Sequence, residues 1–343
     1  LISSDFGFTP SIQYFQVIDD TSDAEFNLYK YQYRGTAVKT RYRQLWDHSS
    51  LQADIYTARV ETYKADRETV GAIDASFTSV IGNDWDINTR LLRSSQDTFL
   101  RRYKFNTETS LKSSATAERV LSDRYYYVEA SDRQALTTAS KNTNEPTILP
   151  HIFYEKIQKG WRPQQQLRTE ISALQLDNDE DNDYARWSGV FEVTEDIPLP
   201  QGIGNYNASL MANYYEIHSQ SNTASTKLGT VAHTNPSLSL GWRMPVAVTG
   251  FGRMAVIEPK AQVTHVGGND RIDDIPNRDA AEYRIDEANL FLPHRYQGKD
   301  YILPGTRIDA GVGATANDQY LGNVAAFAGI SRRLSGTPSA GLN

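Results

Sequence analysis

Asn205-Tyr206-Asn207-Ala208-Ser209-Leu210-Met211-Ala212-Asn213-Tyr214-Tyr215 is the stretch whose reading decides the fold of this 343-residue chain. Side chains of an extended strand point alternately to its two faces. Tyr206, Ala208, Leu210, Ala212 and Tyr214 therefore share one face, and Asn205, Asn207, Ser209, Met211 and Asn213 share the other. The first face begins and ends in tyrosine, with small and aliphatic residues between. A strand that faces lipid needs that arrangement, with apolar side chains across the hydrocarbon and an aromatic ring at each interface.

The same alternation recurs through nearly the whole chain. Val38, Thr40, Tyr42 and Trp46 oppose Lys39, Arg41 and Arg43. Ile73, Ala75, Phe77 and Ile81 oppose Asp74, Ser76 and Thr78. After the Gly82-Asn83 turn, Trp85, Ile87, Thr89 and Leu91 oppose Asp86, Asn88 and Arg90. About fourteen or fifteen such strands are expected, most near the length of a tilted membrane-spanning strand.

The connections sort by length. Short turns fall near Asp47–Ser50, Gly82–Asp84, Leu121–Asp123, Gln158–Trp161, Ile197–Gly204 and Pro245–Gly250. Longer polar loops alternate with them at Thr62–Val70, Ser94–Glu108, Asp132–Pro146, Asp177–Asp183, His218–Asn235 and Val266–Ile302. Outer-membrane barrels keep short turns on the periplasmic rim and long loops on the other. The expected class is therefore all-β, a large antiparallel transmembrane β-barrel. A large soluble sandwich or β-helix would place a polar solvent face on nearly every strand of one meander, and no 20-to-50-residue repeat supports a solenoid or propeller.

Composition agrees. The chain has 20 Tyr, 12 Phe and 5 Trp but no Cys, as suits a sheet with interfacial girdles. The mean hydropathy is polar. The most apolar region, Leu238–Ile257, is interrupted by Arg243, Pro245 and Arg253, which excludes a transmembrane helix. Zero cysteines exclude a disulfide framework, a thiolate metal site and a cysteine nucleophile. A net charge of −7 with no basic run argues against a nucleic-acid partner. The chain starts without a methionine or signal peptide, and both ends read as cuts in a longer protein.

Few constellations suggest chemistry. Asp177, Asp179 and Asp181 match the first ligand positions of a calcium loop. Asn182 stands where its glycine is required and Ser188 where its final glutamate is, so a solvated acidic loop and no metal site are expected. His48, His151, His218, His233, His265 and His294 are scattered outside any metal or nucleophile motif, and no catalytic residue or cofactor is expected. The row Lys39, Arg41, Arg43 could attract the phosphates of a lipid A headgroup. If the Asp47–Ser50 turn closes a hairpin, Arg43 instead falls opposite Asp54 as a cross-strand ion pair. Both readings can hold together.

Several segments resemble stations of one family, in its order. These are Phe8–Tyr14 with its Thr9-Pro10, Ser95–Tyr103, Thr147–Tyr154 with Pro150, and Ala185-Arg186 through Pro198-Leu199-Pro200. Val256–Gln262 carries Glu258-Pro259 before Ala261-Gln262. Ile275-Pro276-Asn277 and Asn289-Leu290-Phe291 follow, then Arg295–Asp300 and Thr306–Val312. The chain so resembles the barrel of the lipopolysaccharide-assembly LptD family, also called the organic solvent tolerance family. Tyr301 follows Asp300 where the family often has arginine, and Asp19–Arg34 looks like an insertion that lengthens the first loop.

The resemblance implies an outer-membrane translocon that assembles lipopolysaccharide at the surface of a Gram-negative cell, with no bond chemistry. It implies an LptE-like lipoprotein plug and an LptA-like periplasmic bridge. The bridge would dock on a jellyroll domain that, with the terminal barrel strands, is expected outside residues 1–343, so the resemblance implies an open, unclosed sheet of about fourteen or fifteen strands with two unpaired edges. Candidate lumen positions, on a sugar path or plug contact, are Lys39, Arg41, Arg43, Asp74, Ser76, Asp86, Asn88, Asn207, Ser209 and Asn213. Candidate lipid-facing or girdle positions are Trp85, Tyr206, Leu210 and Tyr214. The rival function is a passive porin or receptor barrel.

Overall fold

The computed structural model describes residues 2–3, 6–61, 67–82, 84–142, 146–177, 183–218, 228–250, 253–268, 274–275, 286–294, 298–318 and 322–336. The chain divides into two compact units. The first, residues 1–152 with 174–181, opens with the two short strands β1 (Ile2–Ser3) and β2 (Gly7–Phe8). Long strands follow: β3 (Ser11–Asp19), β4 (Ser22–Tyr31), β5 (Gly35–Trp46), β6 (Ser49–Glu61), β7 (Arg67–Ile81) and β8 (Trp85–Ser94). A loop with the short helix α1 (Phe99–Arg102) leads to β9 (Ser110–Val120) and β10 (Arg124–Ala135), then α2 (Thr138–Asn142). Strands β11 (Thr147–Lys159) and β12 (Gln165–Asp177) contribute residues to both units. The second unit holds β13 (Tyr184–Leu199), β14 (Gly202–Ile217), β15 (Gly229–Arg243), β16 (Val246–Gly250), β17 (Arg253–Val266), β18 (Gly305–Asp318) and β19 (Gly322–Ser335).

Within each unit, neighbours in the chain pair antiparallel, β3 through β10 in the first and β13 through β15 and β16 through β19 in the second, with β15 joined to β17. Among the described residues, seventeen strands, β3 to β19, belong to one large antiparallel sheet.

The count of seventeen replaces fourteen or fifteen because two segments are strands. Asp19–Arg34 is not a long loop. It turns at Asp20-Thr21, and Ser22–Tyr31 returns as β4, paired with β3 through Ser11↔Tyr29 and with β5 through Tyr31↔Gly35. Pro245–Gly250 is likewise no simple turn. Pro245 has no N–H to give a ladder, so the strand line breaks at Met244-Pro245. β17 pairs first with β15 (Arg243↔Lys260) and then with β16 (Val246↔Ile257).

Burial is inverted relative to a soluble sheet. Ile12, Phe26, Ile55, Leu91, Trp187, Phe191, Leu210, Leu240, Ile308 and Ile330 are all exposed, and all lie on one face of their strands. So much exposed apolar surface marks a lipid contact. The opposite, inner face carries the charged and amide side chains, and inward-folded loops cover it. The first unit's core lies there, where Phe99, Leu100, Tyr103 and Phe105 of the β8–β9 loop pack on Tyr31, Ala37, Tyr56, Ala58, Val70 and Leu92.

Candidate functional site

The inner face of the first unit has two storeys. The lower one is a band of ion pairs. Lys39, Arg41, Arg43, Asp74, Ser76, Asp86 and Asn88 all lie on it, as the register shows: Lys39↔Tyr56, Arg41↔Asp54, Arg43↔Gln52, Asp74↔Asp54, Ser76↔Arg90, Asn88↔Thr78 and Asp86↔Glu118. Trp85 points to the opposite face, its ring 5.9 Å from that of Tyr126.

The expected Arg43–Asp54 pair is corrected. The hairpin turns on two residues, Asp47-His48, so Trp46 pairs with Ser49 and Arg41 stands opposite Asp54. Arg41 grips that carboxylate with two bonds, Nε–Oδ1 at 2.7 Å and Nη2–Oδ2 at 3.0 Å, and Lys39 Nζ adds a third contact at 3.3 Å. Arg43 reaches back to Asp23 of β4 at 2.9 Å. Asp74 faces Asp54 directly across the β6–β7 ladder, and like charges there repel. Each carboxylate is held by its own arginine, since Arg90 donates to both oxygens of Asp74 at 3.1 and 3.2 Å. The cationic row is thus neutralised locally, and any phosphate would compete with carboxylates already in place.

The upper storey is aromatic. Phe105 lies 4.7 Å from the Tyr56 ring, Tyr103 lies 5.3 Å from Tyr31, and Phe6 lies 4.9 Å from Tyr31. The Tyr103 hydroxyl donates to Arg34 O at 2.8 Å, while Arg34 Nη1 donates to Arg102 O at 3.0 Å, so loop and strand ends are stitched both ways. Burial pushes the Tyr103 hydroxyl above the usual tyrosine range. Lys39 Nζ sits 5.3 Å from the centre of the Tyr56 ring, where the two storeys meet.

In the second unit Asn207, Ser209 and Asn213 lie on the inner face, while Tyr206, Leu210 and Tyr214 lie on the outer one. Ser209 and Ser237 share a hydroxyl hydrogen bond of 2.7 Å across β14–β15. Asn213 Nδ2 lies 3.1 Å from His233 Nε2, and Asn207 donates to Glu192. Outside, Tyr214 and Trp187 bring their rings to 5.6 Å, and the Tyr206 hydroxyl donates to Glu195 at 2.8 Å.

The β17–β18 loop is pinned to this inner face by residues the alternation pattern does not flag. Arg186 Nη1 meets Asp300 Oδ1 at 2.5 Å, with the side chains 5% and 0% exposed. Tyr184 and Tyr215 each donate a hydroxyl to the same carboxylate at 3.0 Å. Lys299 next to it contacts Glu170 and donates to Ser172 at 2.8 Å. Glu170 also meets Arg168 at 2.5 Å, and Arg168 reaches Glu155 and Glu192 at 3.1 and 3.3 Å.

Nearer the loop's start, Gln262 donates to Phe291 O at 2.6 Å, and Arg307 donates to Leu292 O and to Pro293 O. Leu290 lies over bare backbone, because a Cβ added at Gly329 would stand 2.6 Å from its Cδ2. Burial and the Arg307 guanidinium hold His294 below the usual histidine range. Residues 178–182 of the acidic loop, Pro276-Asn277 and Arg295-Tyr296-Gln297 lie outside the described residues.

The clues in the sequence to the two folded-in loops, β8–β9 and β17–β18, were aromatic content in the first and charged content in the second. Phe99–Phe105 is aromatic in an otherwise polar loop, and Lys299-Asp300 ends a motif whose role the following Tyr301 put in doubt.

Residues 68–340 match the family described as LptD: LPS transport system D. Among solved structures the chain is similar to a bacterial polysaccharide outer membrane secretin, with 13% identity over 76% of this chain and 85% of that one and a TM-score of 0.30. It is also similar to BamA from Haemophilus ducreyi lacking POTRA domains 1–3, with 10% identity over 96% of this chain and 66% of that one and a TM-score of 0.32. No curated protein matches the sequence.

Proposed function

Because this chain belongs to the LptD family, a lipopolysaccharide-transport barrel of the Gram-negative outer membrane, we propose that it forms the wall of the translocon that inserts and assembles lipopolysaccharide at the cell surface. The observation that carries this reading is the division of the strands. Hydrogen-bonding side chains, from Asp74, Ser76 and Asn88 to Asn207, Ser209 and Asn213, line one face. Aliphatic and aromatic ones line the other. Sugars need water and polar walls, and acyl chains must stay out of such a lumen and slide along the apolar face.

Transport of this kind breaks and makes no covalent bond, and we assign no residue a catalytic role. A barrel of seventeen strands is wide enough to leak unless filled. The inward-folded loops fill part of it, and an LptE-like lipoprotein would occupy more. An LptA-like bridge would supply the lipid through the family's periplasmic jellyroll domain.

Depletion of the protein in its host tests the proposal. Loss of surface lipopolysaccharide is expected, together with co-purification of a small lipoprotein that resists extraction. Undiminished surface lipopolysaccharide after depletion would overturn the reading in favour of a passive porin or receptor barrel.

A further inference from the structure

In the second unit the line of β15 runs on past the end of its neighbour β14. Gly202, the first residue of β14, lies opposite Leu199, and Ile203 pairs with Arg243 of β15. Beyond Arg243 the line continues as β16, which pairs with β17 from Val246↔Ile257 to Gly250↔Arg253. The register holds across Pro245, because Arg243↔Lys260 and Val246↔Ile257 are equally far apart on both strands. Among the described residues the ladder of β16 runs to β17 alone, which leaves its other edge bare.

The direction of each backbone group follows from the pairing. In an antiparallel ladder, residues bonded to one neighbour alternate with residues that point away from it. Met244 N donates to Pro259 O at 3.1 Å, and Gly267 N donates to Pro236 O at 2.8 Å. Pro236, Met244, Val246 and Val248 therefore turn to β17, while Ala247 and Thr249 aim N–H and C=O at the bare edge. Val246, Ala247, Val248 and Thr249 are all exposed. The strand reads Val-Ala-Val-Thr-Gly and carries no charge, the usual guard of an open edge. Val246 and Val248 share a face with Ile257, which continues the lipid-facing row of Leu240, Val263 and Ile308. Unpaired amides thus border an apolar face, where lipid offers them no hydrogen bond.

We propose that the free edge of β16 is a docking site for a different polypeptide, which adds one extended strand there. The backbone groups of Ala247 and Thr249 supply the hydrogen bonds, and the two faces of the edge set the pattern of the guest. Its apolar side chains stand beside Val246 and Val248 toward lipid, and its small or polar ones stand beside Ala247 and Thr249 on the inner face. A second copy of the chain in the same membrane does not fit. Antiparallel pairing of two β16 edges inverts one copy across the bilayer, and parallel pairing turns its apolar face inward. The site is independent of what the barrel transports.

Fluorescence anisotropy on the full chain in lipid nanodiscs tests it, with a labelled peptide of alternating valine and threonine as the probe. Saturable binding is expected. It should weaken at least tenfold in Ala247→Pro and in Thr249→Pro, each of which removes an outward N–H and leaves the ladder to β17 intact. Ala247→Val keeps that N–H and should bind within about twofold of the parent. The same peptide N-methylated at every residue should not bind. Absence of binding, binding unaltered in both proline variants while each keeps its heat-modifiable folded band, or equal binding of the N-methylated peptide would overturn the proposal. A dimer of the parent that Ala247→Pro dissolves would also overturn it, and would give the edge to a second copy.

Discussion

Replacing Asp300 by alanine should release the β17–β18 loop from the inner wall. The carboxylate is fully buried and receives Arg186 at 2.5 Å and the Tyr184 and Tyr215 hydroxyls at 3.0 Å each. Its removal takes the Asp300 carboxylate away from a guanidinium that is only 5% exposed. Breaking a buried pair from one side costs roughly 3–5 kcal/mol. Each 1.4 kcal/mol is about tenfold in an equilibrium constant, so opening of the loop should rise about a hundredfold to several thousandfold. Hydrogen–deuterium exchange of residues 298–304 in detergent reads that change directly. Replacing both partners by apolar residues, Arg186→Met with Asp300→Leu, should recover most of the loss, because it removes the two buried charges together. Exchange in Asp300→Ala within about threefold of the parent would refute the assignment of the pair as the loop's anchor.

Other perturbations follow from the same geometry. Phe99 is 1% exposed at the centre of the aromatic storey, so Phe99→Ala should cost roughly 3–5 kcal/mol and speed exchange across residues 95–109. A larger single-channel conductance in planar bilayers should accompany it. A Cβ at Gly329 would meet Leu290 at 2.6 Å and Phe327 at 2.8 Å. Gly329→Val should therefore loosen residues 286–294 by about 1–3 kcal/mol, while Gly189→Ala, which meets nothing within 4 Å, should be silent in the same exchange experiment. His294 is held below the usual histidine range by burial and Arg307, so the folded loop binds a proton less readily than the unfolded one. Its stability is complete above about pH 6.5 and falls as the pH drops through that value. Proteolysis of the loop should accelerate at pH 5 in the parent and not in His294→Asn.

The sequence reveals most where local rules suffice. Alternation places Asn207 and Leu210 on opposite faces of β14 because a strand's side-chain period is two, whatever it pairs with. It fails at β4, whose inner residues Asp23, Glu25 and Asn27 are so polar that the segment reads as a loop. It fails again at β16, where Pro245 cuts five residues from a longer strand line. Register is harder, since one residue more or less in the turn at Asp47-His48 decides whether Arg41 or Arg43 meets Asp54. Hardest of all are the folded-in loops. Arg186 and Asp300 are 114 residues apart in the chain, and no periodicity links them. The Phe99–Phe105 cap was visible only as an unusual density of rings.

The most direct test of the account uses Ser209, which lies on the inner face opposite Ser237. A photo-crosslinking side chain introduced as Ser209→p-benzoylphenylalanine should capture lipopolysaccharide through its sugars while export is under way, and capture should decay within minutes of blocking lipopolysaccharide synthesis. Steady delivery of lipopolysaccharide to the surface with no crosslink at this position, or a crosslink indifferent to the block, would contradict passage along the polar inner face.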